Sequence, residues 1–147
     1  MIETVRRLSI EEIMGLRVKV LRKGTPTTHC SYPEDGYPDV VHLGIVREGD
    51  AVATSTWFTK ECPEVPGRVA MQLKGMAVDD SLQTSGLGRR LVEAGLDHAR
   101  GCGAEIVWAR ARDSALGFYL KTGFRAVGEG FIDEPTAMPH HIVVRDL

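Results

Sequence analysis

Residues 74–88 have the sequence KGMAVDDSLQTSGLG, in which a buried strand end, a polar loop and a helix start follow one another. The apolar residues 76–78 are typical of a strand in the core, and a helical pattern runs from Gly86 to Arg100. The first turn of a helix has backbone N–H groups without intrahelical partners, and the helix dipole adds positive potential there. Gly86 and Gly88 have no Cβ, so an anion can approach the backbone closely. The stretch therefore predicts a phosphate-binding loop.

Two common nucleotide-binding motifs do not fit this loop. A dinucleotide fingerprint would need its third glycine at Leu91, and a P-loop would need lysine where the chain has Arg89. The pattern that fits is Gln83-x-x-Gly86-x-Gly88, which resembles the acyl-CoA pyrophosphate loop of the GNAT superfamily of N-acetyltransferases. By itself, so short a pattern fits an ordinary strand-to-helix turn equally well.

A second motif lies about thirty residues downstream. Residues 115–124, ALGFYLKTGF, resemble the Ala-x-x-Phe-Tyr-x-Lys-x-Gly-Phe helix of the same superfamily, and a strand pattern separates the two motifs. Looser similarity to the ElaA-like branch comes from residues 16–22, from the segment containing His42, and from Pro139-His140. On the two motifs together, the chain is identified as resembling a GNAT acetyltransferase.

The order of predicted elements is similar to that of the GNAT fold over nearly the whole chain. Helices are predicted from the Ser9 capping box to Gly24, over 86–100 and over 114–122. Strands are predicted at 3–8, 40–47, 51–59, 68–78, 105–110, 124–131 and 140–146. The resemblance implies an α+β fold in a single domain, residues 1–147. Its central sheet is mixed and mostly antiparallel, flanked by helices, with a parallel pair splayed at the acyl-CoA site.

Composition excludes several other classes of protein. A net charge of −2 and a pI near 6.2 argue against a general nucleic-acid binder. No apolar run approaches the ~18 residues of a membrane span, and three scattered cysteines suggest neither a disulfide framework nor a zinc site. The adjacent His140 and His141 would face opposite sides of a strand, so we expect no metal. These features predict a reduced, cytoplasmic protein without a nucleic-acid or membrane partner.

The resemblance implies a set of residues that bind acetyl-CoA. The backbone of 84–88 would hold the pyrophosphate, and Met76 and Val78 would hydrogen-bond the pantetheine arm in a gap beside the strand 106–110. The implied cofactor-binding residues are Met76, Ala77, Val78, Gln83, Thr84, Ser85, Gly86, Leu87, Gly88, Arg89, Arg112 and Tyr119. The chain departs from the family pattern at Thr84 and Ser85, where a glycine and a basic residue are common, and at Arg112, where asparagine is common.

Acetyl transfer to an amine needs a neutral amine, a polarised thioester carbonyl and a proton for the departing thiolate. Tyr119 is predicted as the general acid and the backbone N–H of Met76 as the oxyanion donor. The alternative for Tyr119 is a structural tyrosine whose hydroxyl is satisfied by backbone. Glu129 is the predicted base, and the other available groups are Glu134, His42, His140 and the pair Glu34-Asp35.

The predicted function is transfer of acetyl from acetyl-CoA to a primary amine by direct attack. The alternatives are a non-catalytic acyl-CoA-binding or sensing module on the same fold, and a protein-interaction domain in which the glycine loop is only a turn. The acceptor is a small-molecule or peptide amine, for which acidic residues such as Glu34, Asp79 and Asp133 give a weak hint of positive charge. The long loop 25–38 is either a poorly ordered connector or a lid over the acceptor. A homodimer is a family-level expectation.

Overall fold

The computed structural model describes residues 4–147 as a seven-stranded sheet flanked by helices. The predicted first strand began at Glu3, which lies outside the described residues. In chain order the elements are β1 (Arg6–Leu8), α1 (Ile10–Leu21), β2 (Val41–Arg47), β3 (Asp50–Thr59), β4 (Ala70–Val78), α2 (Leu87–Gly101), β5 (Ile106–Arg112), α3 (Leu116–Lys121), β6 (Arg125–Asp133) and β7 (Met138–Asp146). Within this described part, no helix has the length and apolarity needed to cross a membrane.

The strand order is β1-β2-β3-β4-β5-β7-β6, and every neighbouring pair is antiparallel except β4 and β5. Helix α2 connects β4 to β5, which is why these two strands run in the same direction. The predicted mixed and mostly antiparallel sheet with one parallel pair is confirmed.

Local sequence signals account for the boundaries of the first elements. The Ser9 hydroxyl accepts from the Glu12 N–H at 3.2 Å, and the Glu12 carboxylate accepts from the Ser9 N–H at 2.9 Å, which is the predicted capping box. Glu48 and Gly49 have φ of 52° and 83°, the backbone that a two-residue hairpin turn requires between β2 and β3. Helix α1 ends at Leu21, three residues before the predicted stop at Gly24.

The core has two parts, and each contains one of the two tryptophans. Trp57 is fully buried in the larger cluster, where β2, β3 and β4 pack against the apolar face of α2. Trp108 is 3% exposed in the smaller cluster with Ile106, Ile142 and Val144. Both tryptophans are therefore core residues.

Candidate active site

The parallel strands β4 and β5 pair over three positions and then separate. Ala70, Met71 and Gln72 pair with Ile106, Val107 and Trp108, whereas no pairing continues to the carboxyl ends of the two strands. A cavity of about 1600 Å³ is lined by both strands from Gln72 to Val78 and from Trp108 to Arg112. Its remaining lining comes from the loop after α1, the β3–β4 loop, the start of α2, α3 and the β6–β7 hairpin. The separated strand ends therefore lie beside the predicted phosphate loop.

A β-bulge interrupts β4 where this separation occurs. Thr54 pairs with Ala77 and Thr56 pairs with Lys74, so Gly75 and Met76 together oppose the single residue Ser55. Gly75 has φ of 65°, which glycine adopts at little cost. A bulge leaves one residue out of the ladder, and Met76, the predicted oxyanion donor, is one of the two residues concerned.

The predicted phosphate loop has a left-handed backbone at two positions. Thr84 and Gly86 have φ of 68° and 88°, and Gly86 is the N-cap of α2 without a side-chain cap. Residues 83–86 are exposed, so ligand atoms can reach their backbone. A Cβ on Gly86 would meet no atom within 4 Å, so its glycine is required by the backbone angle.

Gly88 allows close packing between α2 and α3. A Cβ at Gly88 would lie 3.1 Å from Cε1 of Phe118, which is tighter than ordinary contact. The small residue thus brings the first turn of α2 against α3, so the two predicted motifs contact one another. Sequence reasoning had assigned both glycines to anion approach and had missed this contact.

Side chains within the loop hold it to the end of β4 and to α1. The Gln83 amide donates to the Val78 carbonyl and to the Asp80 carboxylate, both at 3.2 Å. Lys19 of α1 pairs with Asp79 at 2.8 Å, and Lys23, in the turn after α1, pairs with Asp80 at 3.3 Å. Hydrogen bonding to Lys19 lowers the pKa of Asp79 to about 2. The Gln83 side chain therefore stabilises the loop by connecting it to the end of β4.

The two predicted cofactor-binding arginines have protein partners. Arg89 is exposed at the cavity edge and pairs with Glu93 one turn along α2 at 3.3 Å. Arg112 lines the cavity and donates to the Leu21 carbonyl at the end of α1. Burial lowers the pKa of Arg112, and Arg22 nearby acts in the same direction. Arg89 is the more accessible of the two.

Tyr119 lies on α3 and lines the same cavity while being only 7% exposed. Its ring contacts Phe118 and Phe124 edge-on, with centroids 5.2 and 5.4 Å apart. Burial raises the pKa of its phenol well above the ordinary value. No hydrogen bond to its hydroxyl is found among the described residues, and its role as general acid stays a prediction.

The candidate bases lie in different surroundings. Glu129 is exposed in the irregular middle of β6 and is absent from the cavity lining. His42 is buried on β2, with Nδ1 2.8 Å from the Thr56 hydroxyl on the neighbouring β3. His140 is 5% exposed, lines the cavity, and has Nδ1 2.8 Å from the Met138 carbonyl. The structure therefore brings His140, and not Glu129, to the cavity that Tyr119 lines.

The loop 25–38 is anchored by the buried carboxylate of Glu34 and the partly buried carboxylate of Asp35, which favours an ordered segment over a poorly ordered connector. Asp35 accepts two hydrogen bonds of 2.8 Å from the fully buried guanidinium of Arg17. Glu34 accepts from Lys60 and Lys74, each at 2.9 Å. Burial by itself would raise the pKa of Glu34, but these two lysines outweigh it and lower the pKa to about 2.

Most acidic residues that hinted at a cationic acceptor have internal partners. Glu34, Asp35, Asp79 and Asp80 pair with Lys or Arg as described, and Asp133 pairs with Arg110 at 2.9 Å. Glu134, next to Asp133, has no such pair among the described residues. These acidic residues therefore do not indicate a positively charged acceptor.

Comparison with known proteins identifies the family. Residues 64–138, just over half of the chain, match the family model described as an acetyltransferase (GNAT) domain. The chain is 28% identical over 140 residues to an uncharacterized N-acetyltransferase, YitI, of Bacillus subtilis (strain 168), covering 95% of this chain and 93% of that protein.

Solved structures share the fold. Escherichia coli ElaA superposes with a TM-score of 0.78 at 18% identity, covering 99% of this chain and all of that one. An aminoglycoside 6'-N-acetyltransferase complexed with coenzyme A superposes with a TM-score of 0.71 at 13% identity, covering 99% and 97% of the two chains. The chain therefore belongs to the GNAT family of acetyltransferases, and its predicted assignment as an N-acetyltransferase is confirmed.

Proposed function

We propose that the protein transfers an acetyl group from acetyl-CoA directly to a primary amine. One observation carries the proposal: the gap between β4 and β5 contains, along its lining, the bulge at Gly75-Met76, the glycine loop and the unpartnered hydroxyl of Tyr119. These are the groups needed to hold the coenzyme, polarise its thioester and protonate its thiolate. The solved neighbour that contains coenzyme A has the same fold and supports the use of an acyl-CoA.

In this proposal, the exposed backbone of 84–88 binds the pyrophosphate at the start of α2. The N–H groups of a first helical turn, together with the helix dipole, favour an anion. The Ser85 N–H already donates to the Leu82 carbonyl at 3.3 Å, so the neighbouring N–H groups would supply most of the contact. Arg89 adds a cation at the edge of the cavity.

The pantetheine arm would lie between the separated ends of β4 and β5 as a substitute strand. Backbone groups of Met76 and Val78, with Ala77 between them, would hydrogen-bond the arm. At the bulge, the N–H of Met76 would stabilise the negative charge that develops on the thioester oxygen as the amine attacks.

Tyr119 would supply the proton for the departing thiolate. Because burial raises the pKa of its phenol, Tyr119 stays protonated throughout the physiological pH range. In the overall reaction, the amine nitrogen forms a bond to the acetyl carbon and the carbon–sulfur bond breaks. The departing thiolate gains a proton from Tyr119, and the amine nitrogen loses a proton.

We assign the removal of the amine proton to His140 in place of Glu129. The Nδ1 atom of His140 faces the Met138 carbonyl, an acceptor, so in the neutral ring Nδ1 carries the proton and Nε2 is free to accept another. Glu129 lies outside the cavity lining and would have to act through water.

The first experiment is calorimetric titration with acetyl-CoA and CoA at two salt concentrations, followed by an assay of thiol release with a panel of amines. We expect micromolar binding that weakens with salt. Gly86→Glu should abolish this binding by crowding and repulsion at the loop, whereas Gly101→Glu at the exposed far end of α2 should not. Equal binding by both variants would overturn the loop assignment.

The remaining expectations form part of the same proposal. A single domain acts on a small-molecule or peptide amine without a metal, a nucleic acid or a membrane surface. Three unpaired cysteines, Cys30, Cys62 and Cys102, suit the reducing cytoplasm. Homodimer formation stays a prediction that sedimentation can test. Coenzyme binding without turnover of any amine would favour the sensing module.

A further inference from the structure

One carboxylate and two ammonium groups lie together at the wall of the cavity. The two oxygens of Glu34 accept separately from Lys60 and Lys74, each at 2.9 Å. The Glu34 side chain is 8% exposed, whereas those of Lys60 and Lys74 are 42% and 29% exposed. Both lysines line the cavity and Glu34 does not. Lys60 and Lys74 are named here the lysine pair. Together with Glu34 they carry a net charge of +1, and the two ammonium groups lie at the cavity lining.

The charged side chains near the lysine pair do not cancel the net positive charge of the lysine pair and Glu34. Arg17 and Asp35 form a neutral pair behind the cavity wall, and Arg110 and Asp133 form another at its edge. Glu61 also lines the cavity, but its side chain is exposed, where solvent screens its charge. Among the described residues, no second buried carboxylate neutralises the remaining positive charge of the lysine pair.

The ring of Tyr32 lies next to the lysine pair. The Lys74 ammonium lies 4.4 Å from the centroid of this ring, and the Arg17 guanidinium lies 4.4 Å from the same centroid. Tyr32 also lines the cavity. The ring and the Glu34 contact together hold the Lys74 ammonium at the wall, so a ligand meets an already positioned cation.

We propose that the acceptor is a small primary amine that carries a carboxylate, and that Lys60 and Lys74 bind this carboxylate. The inference rests on the proposed function and names its substrate class. A carboxylate pairs well with ammonium groups through charge-assisted hydrogen bonds. A cationic acceptor, in contrast, would meet a wall of its own sign.

Binding the carboxylate also helps the chemistry. In free solution, the substrate's own carboxylate favours its ammonium form, since an opposite charge nearby stabilises the protonated amine. Pairing that carboxylate with Lys60 and Lys74 removes this stabilisation. The amine then loses its proton to His140 more readily, and attack on the thioester becomes easier.

The first test compares acceptors that carry a carboxylate with analogues in which the carboxylate is made neutral or removed. Leucine, phenylalanine, methionine and glutamate are each assayed beside the corresponding carboxamide and the decarboxylated amine, with thiol release as the readout. Binding of each compound to the CoA complex is measured separately by calorimetry. We expect at least one amino acid to exceed both of its partners about tenfold in kcat/KM and in affinity. Equal or better performance by the carboxamides and amines throughout the panel would overturn the inference.

The second test uses variants whose expected effects have opposite signs. Lys60→Gln removes one cation and should raise KM for the preferred amino acid about tenfold, while KM for acetyl-CoA stays the same. Glu34→Gln removes the anion and should lower KM for that amino acid, although it weakens the same cluster structurally. Arg68→Gln, a remote loss of one positive charge, is the control and should change neither. If Lys60→Gln and Glu34→Gln both raise this KM equally, the cluster is structural and the inference fails.

These outcomes distinguish failure of the proposed acetyltransferase function from failure of the proposed acceptor class. Absence of thiol release with every amine contradicts the proposed function, and the calorimetric comparison of amino acid with carboxamide then still decides whether the lysine pair binds a carboxylate. Turnover without preference for a carboxylate leaves the acetyltransferase intact and rejects only this acceptor class.

Discussion

Gly95 of α2 lies directly against the indole of Trp57, so that a Cβ at position 95 would be 1.8 Å from Cζ2 of the ring. Trp57 is fully buried on β3, and its Nε1 donates to the Ser55 hydroxyl at 2.8 Å. The indole can therefore move only by breaking this bond or by displacing the core. This contact fixes how closely α2 approaches the sheet.

We predict that Gly95→Ala destabilises the protein although alanine is the better helix former. Overpacking a core costs about 1–3 kcal/mol and sometimes more, which exceeds the ~1 kcal/mol that alanine gains in helix propensity. Urea unfolding should show a midpoint well below that of the parent chain. Gly101→Ala in the same helix meets no atom within 4 Å and should leave stability equal or raise it by about 0.5 kcal/mol. Similar midpoints for the two variants would contradict the packing argument.

Tyr119→Phe should lower kcat by about 10²–10⁴ while coenzyme binding and the fold are retained. No hydrogen bond to its hydroxyl is found among the described residues, so its removal should cost little stability. Tyr37→Phe is a suitable control, because Tyr37 contacts Phe58 and lies outside the cavity lining. The measurements are single-turnover acetylation and calorimetry with CoA. A variant that retains full kcat would remove Tyr119 from the proton path.

The sequence was sufficient for the fold because its strongest signals are local. The capping box at Ser9 and the start of α2 at the glycine loop each depend on residues close in the chain, and each formed where it was predicted. The bulge at Gly75 was missed, although a glycine within a strand is a recognised sign of one.

The contacts on the acceptor side of the cavity could not be predicted, because they join residues that are far apart in the sequence. Glu34 meets Lys60 and Lys74 across 26 and 40 residues of sequence. No local pattern reports such a contact, and each of these residues alone resembles an ordinary solvated charge. The same long separations in sequence explain why Glu129 was predicted as the base, although His140 and not Glu129 lines the cavity.

The Glu34 cluster should make stability depend on pH in acid. Lys74 and Lys60 outweigh burial and lower the folded-state pKa of Glu34 to about 2, from an ordinary value of 4.5. A depressed pKa means that the unfolded chain binds more protons, so this contribution is present above about pH 4.5 and is lost as pH falls toward 2.

The loss at low pH should amount to at most about 3 kcal/mol, because the partly exposed lysines are screened by solvent. Glu34→Gln should remove this part of the dependence, so that parent and variant converge near pH 2. The measurement is the free energy of unfolding in urea at intervals from pH 7 to pH 2. Glu64→Gln, the change of an exposed glutamate outside the cavity lining, is the control and should follow the parent curve. Parallel curves for the parent and Glu34→Gln would refute the assigned pKa.

Ser85→Arg should strengthen coenzyme binding, since it restores the basic residue that the GNAT pattern commonly has at this position. Ser85 is exposed one residue before the N-cap Gly86, so a long side chain can extend toward a bound pyrophosphate without entering the core. We expect the Kd for CoA to fall by about three- to tenfold at low salt, and the gain to shrink as ionic strength rises. Ser85→Gln, of similar reach but without charge, is the control. An equal gain in both variants would point to side-chain contact alone, whereas no gain in Ser85→Arg would mean that the pyrophosphate does not lie at this loop.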